Sequence, residues 1–511
     1  METAEPERPP AARTAALFAA VLLVSACGLA YELAAGALAS YVLGDSVTQF
    51  SLVIGLYLSA MGVGAYLSRW LDRGLARAFV EVELGVALLG GWSVPVLFLA
   101  FGRVAHFRPL LWAAVLLVGT LVGLEIPLFL RLLRRRLAFK ELVARVLSLD
   151  YLGALVASIL FPLLFVPRLG LVRTSLVLGA VNALVALWST WLLADELRAP
   201  GRLRARALLV LAVLGGGVAA ADRLTSLSEE ALFTDPIVFA RQTPYQRIVV
   251  TAGRGSFQLF LDGNLQFSSS DEYRYHEALV HPAMAAAASR REVLVLGGGD
   301  GLAVREILLH PDVAHVTLVD LDPEMTALAV GLPMVRELNR GSLLDARVRV
   351  VNDDAMAWLA GLPAARRFDV VFADFPDPNN FALGKLYTTR FYRLVRAHLA
   401  PGGAFAVQAT SPLLARRSFW CIAATLEAAG FAVRPYHTAV PSFGEWGFML
   451  ARTEPFALPG TLQPGLRSLT AAQLPGLFSF GPDLARVPAE VNRLDNQVLV
   501  HTYEEEWRRV E

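Results

Sequence analysis

The chain has 511 residues, of which 55% are hydrophobic and only 18% are charged, and its formal net charge is +1. With a mean hydropathy of +0.50, it is too apolar for a wholly soluble protein and fits a membrane half joined to a soluble half. No basic stripe stands out in the soluble half, which argues against a nucleic-acid partner. Two cysteines are too few for a disulfide framework or a zinc cluster, and no metal site is expected.

The N-terminal half predicts an all-α polytopic membrane domain in contact with a lipid bilayer. Residues 1–13 are rich in proline and alanine and are predicted to be a disordered tail, and the membrane domain is expected over 14–222. Most of the apolar segments reach the roughly 20 residues that a spanning helix needs. The seven predicted segments are 15–37, 51–70, 80–101, 109–130, 148–167, 172–194 and 206–221.

Arginine and lysine concentrate in alternate connections between these segments, namely 69–77, 131–145 and 198–206. By the positive-inside rule, the N-terminus is therefore predicted to be cytoplasmic. Seven crossings would then place the soluble half outside the cytoplasm. The seventh segment is short and contains Gly215, Gly216 and Gly217, so it is the one expected to lie in the interface or to re-enter.

Four polar residues lie in or at the edge of the apolar segments: Glu32, Glu125, Asp150 and Asn182. A carboxylate inside a membrane is costly, so these residues suggest a transport or binding site among the helices. Alternatively, they pair with arginines or cap helix ends near the interface, which would suit Asp150 at a predicted helix start. The sequence leaves both interpretations open.

The soluble half divides into three predicted parts. Residues 223–275 contain short extended segments and turns, which predict a small β-hairpin domain. Residues 276–455 alternate strands and helices, which predicts a doubly wound, mostly parallel α/β sheet of the Rossmann-like, methyltransferase type, with helices on both faces. Residues 456–511 are predicted to be an irregular C-terminal tail that ends in a short helix.

One stretch of this half, Glu292 to Gly301, reads EVLVLGGGDG. An apolar run stops at three glycines and is followed by a helix-period stretch, which predicts a strand, a tight turn and a helix start. In such sheets ligands bind at the carboxyl ends of the strands, and glycine lets the backbone approach a nucleoside. Since a lone glycine run is a weak motif, a purely structural turn is the alternative.

Carboxylates follow each of the first four predicted strands of this sheet. They are Asp300, then Asp320 and Asp322, then Asp353 and Asp354, then Asp374 and Asp377. Each one alone would suit a helix N-cap, but together they converge on one crevice. Because crowded carboxylates cost free energy unless cations are bound, we expect a polycation, or a sulfonium nucleoside with an amine co-substrate.

Seven short segments stand in order between about residues 235 and 452. They begin at Thr243 (TPYQR), Leu261 (LDGNLQF), Asp271 (DEYRYHE), Val295 (VLGGGDG), Asp320 (DLD), Asn352 (NDD) and Asp374 (DFPDP). In number and order they resemble the motifs of the spermidine synthase, or polyamine aminopropyltransferase, family. The apolar half resembles that of bacterial members that carry an N-terminal multi-pass membrane domain.

The resemblance implies transfer of an aminopropyl group from decarboxylated S-adenosylmethionine to putrescine or a related amine, giving spermidine and methylthioadenosine without a further cofactor. It implies that Asp374 is the base and that Tyr275 orients the attacking nitrogen. The implied donor contacts are Gln246, His276, Asp300, Asp320 and Asp353, and the implied acceptor contacts are Asp377 and Glu277. Because the donor is a cytosolic metabolite, we expect a cell-membrane protein with a cytoplasmic catalytic half; a homodimer is compatible with the resemblance.

The sequence departs from the family pattern at three places. Phe375 and Pro376 stand where the family has a serine pair, Phe443 lacks a tyrosine hydroxyl, and Asp320 replaces a glutamate. Two alternatives therefore stay open. One is an S-adenosylmethionine-dependent methyltransferase, which shares the sheet and the glycine turn, and the other is a polyamine-binding transporter or sensor without catalysis.

Overall fold

The computed structural model describes residues 11–43, 46–101, 104, 107–134, 138–229 and 233–509. The chain forms two compact units that divide between Pro236 and Ile237. Most of the predicted disordered tail, residues 1–10, lies outside the described residues. Residues 11–13 are already part of the first helix, which corrects the predicted end of that tail.

The first unit is built from long helices. Their bounds are α1 Ala11–Leu43, α2 Ser46–Leu67, α3 Leu75–Phe101, α4 Phe107–Leu133, α5 Phe139–Leu160, α6 Val166–Leu192 and α7 Pro200–Glu229. One π-helical turn, Phe161–Phe165, joins α5 to α6. The helical backbone is interrupted at Gly170, where φ is 71° and ψ is 171°.

Six stretches of the described residues are helical, long and apolar enough to cross a membrane. One of them, 139–192, has 54 residues, which is more than twice the roughly 20 needed for a single crossing. It contains the predicted segment 148–167 and all but the last two residues of 172–194, and Gly170 lies between the two. The seven predicted segments therefore correspond to six continuous stretches.

The expectation of a short seventh segment is wrong, because α7 has 30 residues. Its glycines do not break the helix. A Cβ atom added at Gly217 would lie 2.9 Å from side-chain atoms of Leu176 and Trp92, so the glycine lets α7 pack closely against its neighbours. Near its end α7 carries Asp222, which pairs at 2.8 Å with Arg173 near the start of α6, so the two helices run antiparallel.

The second unit begins with a four-stranded antiparallel sheet in the order β1-β2-β3-β4. Its strands are β1 Ile237–Gln242, β2 Arg247–Ala252, β3 Phe257–Leu261 and β4 Asn264–Ser268. Asp262 and Gly263, with φ of 49° and 80°, form the turn between β3 and β4. These strands lie where the sequence predicts extended segments.

A seven-stranded sheet follows, in the order β10-β11-β9-β8-β5-β6-β7. Its strands are β5 Glu292–Gly297, β6 His315–Asp320, β7 Val348–Asn352, β8 Phe368–Asp374, β9 Leu399–Gln408, β10 Ala432–Val440 and β11 Gly444–Arg452. The five strands from β9 to β7 pair in parallel, as predicted. The antiparallel edge strand β10 is missing from the prediction, because polar residues interrupt its apolar ones and it contains Pro435, which only an edge strand tolerates.

The helices of this unit are α8 Glu272–Ala286, α9 Leu302–Ile307, α10 Pro323–Gly331, α11 Pro333–Leu338, α12 Ala355–Gly361, α13 Phe381–Gly384, α14 Thr389–His398, α15 Arg416–Ala428, α16 Leu474–Leu477 and α17 Val498–Trp507. Alternate residues of β5 enter two different cores. Val293 and Val295 pack in a core with α8 to α11, whereas Leu294 and Leu296 pack in a core with α12, α14 and α15. Helices therefore cover both faces, as a doubly wound sheet requires.

The strand order reverses beside β5. From β5 the chain continues outward to β6 and β7, and it then returns to β8 on the other side of β5. Gly297 at the end of β5 pairs with Asp374 at the end of β8, and the Gly298 amide donates to the Asp374 carbonyl at 3.0 Å. Such a reversal is the point at which open α/β sheets bind ligands.

We predict that Gly297→Ala lowers stability more than Gly263→Ala does. Both glycines have a φ of 80°, but a Cβ at Gly297 would lie 2.2 Å from the Asp374 carbonyl oxygen, whereas nothing lies within 4 Å of one at Gly263. Gly263→Ala, the control, should lower the free energy of unfolding by about 1 kcal/mol, from backbone strain alone. Gly297→Ala should lower it by about 3 kcal/mol or more. Thermal unfolding of the full-length variants measures both, and equal losses would contradict the close approach.

Candidate active site

The glycine turn is held by two acids. Gly297, Gly298 and Gly301 have φ values of 80°, 64° and 80°, which L-residues with a side chain rarely adopt. Asp300 Oδ1 accepts a hydrogen bond from the Leu302 amide at 2.8 Å, and Asp320 Oδ2 accepts one from the Gly299 amide at 3.0 Å. The carboxylates that follow β5 and β6 are therefore brought together at the turn, as predicted.

Asp374 is hydrogen-bonded to Tyr275. The Tyr275 hydroxyl, on α8, donates to Asp374 Oδ1 at 2.6 Å, and its ring packs against Phe443 and Phe448. Burial raises the pKa of Asp374 above its usual value, against the opposing effects of the His276 charge and the Tyr275 hydrogen bond. Burial also raises the pKa of Tyr275, so the phenol keeps its proton and remains the donor of this bond.

His276 supplies positive charge next to these acids. Its Nδ1 lies 2.8 Å from the Glu272 carbonyl oxygen and 2.9 Å from Glu272 Oε2. Burial alone would lower the pKa of His276, but the hydrogen bond and charge of Glu272, with Asp300 and Asp374, raise it to about 9. The imidazole is therefore protonated at neutral pH.

Arg305 holds Glu272 in place. Two of its nitrogens donate to the two oxygens of Glu272, at 2.8 and 2.9 Å. Burial would raise the pKa of Glu272, yet the hydrogen bonds and charges of His276 and Arg305 lower it to about 2. Neither Glu272 nor Arg305 is among the predicted site residues; Glu272 lies within the family-like segment but carries no implied role.

Asp300 and Asp320 carry strongly perturbed carboxyls. Burial raises the pKa of Asp300 to about 6, and the nearby Asp374 adds to this effect while His276 opposes it. Burial likewise raises the pKa of Asp320 to about 6, with a contribution from the charge of Asp300. Carboxyls whose pKa values rise in this way are crowded and short of positive charge, which a bound cation would supply.

Asp377 accepts three hydrogen bonds from side chains. The donors are Gln408 Nε2 at 3.1 Å, Thr410 Oγ1 at 3.0 Å and the Tyr503 hydroxyl at 2.8 Å. Burial raises the pKa of Asp377, and these bonds oppose that rise. None of these three donors is among the residues predicted from the sequence. Gln408 and Thr410 stand at the end of β9, where the rule that located the acids also applies, whereas no local pattern marks Tyr503 on α17.

The remaining implied donor residues lie around this group. Gln246 Nε2 donates to Asp322 Oδ2 at 3.0 Å, and the Asp353 amide donates to the Asp320 carbonyl at 3.1 Å. Asp322 and Asp354 cap the starts of α10 and α12 with their side chains. For these two acids the helix-cap interpretation is correct.

Glu277 does not join the site, although the resemblance implies an acceptor contact. Its carboxylate accepts hydrogen bonds from three backbone amides, those of Arg467 at 2.6 Å, Ser468 at 2.7 Å and Leu469 at 3.1 Å. It also accepts the Ser468 hydroxyl. Two positions apart on a helix, Tyr275 and Glu277 lie on different faces, so Glu277 anchors the C-terminal segment instead.

Comparison with known proteins identifies the chain. Residues 272–458 match the spermine/spermidine synthase domain model. The polyamine aminopropyltransferase of Leptospira interrogans is 51% identical over 495 residues, which cover 97% of this chain and 99% of that protein. This chain belongs to the polyamine aminopropyltransferase family. Polyamine aminopropyltransferase 2 of Ralstonia nicotianae is 53% identical over 97% of this chain and 99% of its own length.

A spermidine synthase structure in complex with the transition state analogue AdoDATO is 22% identical, with a TM-score of 0.45, and the match covers 48% of this chain and 85% of that one. The full-length relatives decide between the functions left open by the sequence. The chain is an aminopropyltransferase whose co-substrate is decarboxylated S-adenosylmethionine, and the methyltransferase and non-catalytic alternatives are wrong.

We predict that Tyr275→Phe shifts the acid limb of the kcat/KM profile to higher pH. As the base that the resemblance implies, Asp374 would act only when ionised, so activity should fall as pH drops through its pKa, and loss of the Tyr275 hydrogen bond should raise that pKa further. A hydrogen bond to a charged group is worth about 1.5–3 kcal/mol, so the limb should move by about one to two pH units. The ratio of variant to wild-type rates at each pH removes the titration of the amine itself.

Tyr436→Phe is the matched control for this measurement. The Tyr436 hydroxyl is also buried and donates to the Ala278 carbonyl at 2.8 Å, but it does not contact Asp374. Loss of the Tyr436 hydroxyl should lower stability without shifting the acid limb of the kcat/KM profile. An unchanged limb in Tyr275→Phe would show that the tyrosine does not control the ionisation of Asp374.

Proposed function

We propose that the enzyme transfers the aminopropyl group to putrescine, giving spermidine and methylthioadenosine. The observation that supports this most directly is the position of Asp374 at the strand reversal, beside the glycine turn and hydrogen-bonded to Tyr275. A carboxyl whose pKa is raised by burial is a stronger base than an ordinary aspartate. The acids around it are suited to bind two cationic substrates.

The reaction is a nucleophilic substitution at the carbon next to the sulfonium. A protonated amine has no free electron pair, so one ammonium group of putrescine must first give a proton to Asp374. Its nitrogen then forms a bond to the carbon while the carbon–sulfur bond breaks, and the electron pair of that bond returns to sulfur. The products are neutral methylthioadenosine and protonated spermidine, and positioning supplies most of the rate.

Each side chain has a proposed role in this reaction. Tyr275 holds Asp374 through its hydroxyl hydrogen, and its oxygen is left to accept a hydrogen from the attacking nitrogen. Asp377 binds the distal ammonium group and is oriented by Gln408, Thr410 and Tyr503. The donor contacts proposed from the resemblance are Gln246, His276, Asp300, Asp320 and Asp353.

We predict that purified enzyme forms spermidine from putrescine and the decarboxylated donor, and that Asp374→Asn lowers kcat by about 10²–10⁴-fold while the donor still binds. Asp354→Asn is the matched control, because Asp354 also follows a strand but caps α12 and pairs with Lys385. Product analysis with several diamines measures the acceptor preference. Full activity in Asp374→Asn would remove this residue from the role of base.

We also propose that the helical unit is a multi-pass domain of the cell membrane. Large apolar side chains face outward on most of its helices, with exposed fractions between 49% and 65%. Examples from five helices are Leu52, Leu117, Leu155, Leu184 and Leu209. An outward apolar surface of this extent is stable when it faces lipid. A homodimer remains a prediction from the resemblance.

Arginines are concentrated at one end of the helical bundle. Arg131 Nη1 donates to the Ser68 carbonyl at 2.7 Å, which joins the ends of α4 and α2, and Arg13 pairs with Asp195 at 2.7 Å, which joins the start of α1 to the end of α6. The basic connections α2–α3, α4–α5 and α6–α7 share this end. The positive-inside rule assigns it to the cytoplasm.

Helix α7 starts at the arginine-rich end and finishes at the other, where Asp222 meets Arg173. The predicted cytoplasmic catalytic half rests on the cytosolic donor and on a seventh segment that does not cross, and the 30 residues of α7 argue against the second of these grounds. We therefore propose that residue 229 leaves the bundle on the non-cytoplasmic side. This topology separates the chain beyond α7 from the cytosolic donor, which makes its test important.

We predict that alkaline phosphatase fused after Glu511 is active in intact bacterial cells, and that a green fluorescent protein at the same site is dark. The two reporters work on opposite sides of the membrane, so each controls for the other. The same pair fused before Met1 should give the reverse result. A fluorescent, phosphatase-negative C-terminus would restore the cytoplasmic location and contradict a crossing by α7.

A further inference from the structure

The helical unit contains a cavity that the proposed reaction does not use. It lies among α1, α2, α4 and α5 and has a volume of about 170 Å³. A water molecule needs roughly 10–15 Å³ on the same measure, so the cavity has room for a chain of roughly ten small groups. A four-carbon diamine or a triamine of the spermidine type is about this size.

Three carboxylates line this cavity, and each comes from a different helix. They are Glu32 on α1, Glu125 on α4 and Asp150 on α5. Tyr57 adds a hydroxyl that donates to the Gly28 carbonyl at 2.8 Å. Most of the remaining wall is apolar, with side chains such as Val21 and Met61.

Glu125 is the residue that points to a ligand. Its side chain is only 4% exposed, and its Oε1 atom accepts no hydrogen bond from any described residue. A buried carboxylate oxygen without a donor is costly, because burial removes its water and nothing replaces it. The cavity beside it is where a donor would be supplied.

The alternative roles of these acids, as helix caps or partners of arginines, are not seen in the structure. Asp150 lies in the middle of α5 and Glu125 well inside α4, so neither caps a helix. Within the described part of the chain, no arginine, lysine or histidine pairs with Glu32, Glu125 or Asp150. The arginine pairs of this unit lie at the helix ends, as Arg131–Asp72 and Arg173–Asp222 do.

The chemistry of the cavity selects one class of cation. No group of three or more His, Cys, Asp or Glu among the described residues is placed to hold a metal ion. The carboxylates are instead set in apolar wall, which matches an aliphatic chain with an ammonium group at each end. We propose that the cavity lined by Glu32, Glu125 and Asp150 is a second amine site, which binds a protonated aliphatic diamine or triamine.

The test counts amine molecules bound to full-length protein in detergent, by equilibrium dialysis with radiolabelled spermidine and no donor, so that no reaction occurs. Wild type should bind two molecules per chain, and Glu125→Gln one. Glu81→Gln is the matched control, because Glu81 lies at a helix end and pairs with Arg77 and Arg206. It should still bind two molecules.

A cavity-filling variant tests the site independently, in case Glu125→Gln does not fold. Ala154→Leu leaves every carboxylate in place but occupies part of the space beside Asp150, and it should also reduce the count to one. Both variants must elute as wild type does on size exclusion. If Glu125→Gln and Ala154→Leu fold and still bind two molecules, the proposal is overturned.

Asp377→Asn separates this proposal from that of the catalytic site, and it should remove the other bound molecule. If Asp377→Asn has no effect whereas Glu125→Gln removes one molecule, the proposed acceptor contact fails and the cavity site stands. If Asp377→Asn removes all bound amine and Glu125→Gln removes none, the acceptor contact stands and the cavity site is overturned.

Discussion

The pairing of β5 with β8 is the constraint on which the catalytic unit depends. It places Gly297 against Asp374 so closely that a single added carbon would lie 2.2 Å from the Asp374 carbonyl oxygen. The glycine turn and the carboxylate proposed as the base are therefore fixed by the same two strands. Because the strand order reverses at this pair, a crevice opens between the helices that follow β5 and β8.

Charge within the crevice is balanced only in part. Asp300, Asp320 and Asp374 all have raised pKa values, and His276 is the cation that lowers those of Asp300 and Asp374. His276 keeps its proton because the Glu272 carboxylate is hydrogen-bonded to its imidazole ring. Arg305 in turn donates a hydrogen bond to Glu272. This deficit of positive charge would favour a sulfonium and an ammonium group, so substrates bound as proposed would stabilise the ionised carboxylates.

The sequence predicted the parts of this site that follow a local rule. A strand followed by an acid can be recognised from a few residues, which is why Asp300, Asp320 and Asp374 were located correctly at the reversal. The sequence could not predict contacts between residues that are far apart along the chain. Examples are the hydrogen bond from the Tyr503 hydroxyl to Asp377 and those from the three amides of 467–469 to Glu277. In the same way, the irregular pattern of β10, with Pro435 at its centre, does not predict an edge strand, which forms by pairing with β11.

Carboxylates in the two units are satisfied by different means. Asp377 is partly buried and has three side-chain donors, so the protein itself supplies hydrogen bonds that water would otherwise give. Glu125 is more deeply buried, but its Oε1 atom has no donor among the described residues, and no basic side chain there pairs with it. A fold that leaves such an oxygen open in an apolar wall loses free energy unless something else fills the space. A ligand in the cavity would supply the donor that Glu125 lacks, and in an enzyme whose substrate and product are alkylammonium ions, such ions are the cations at hand.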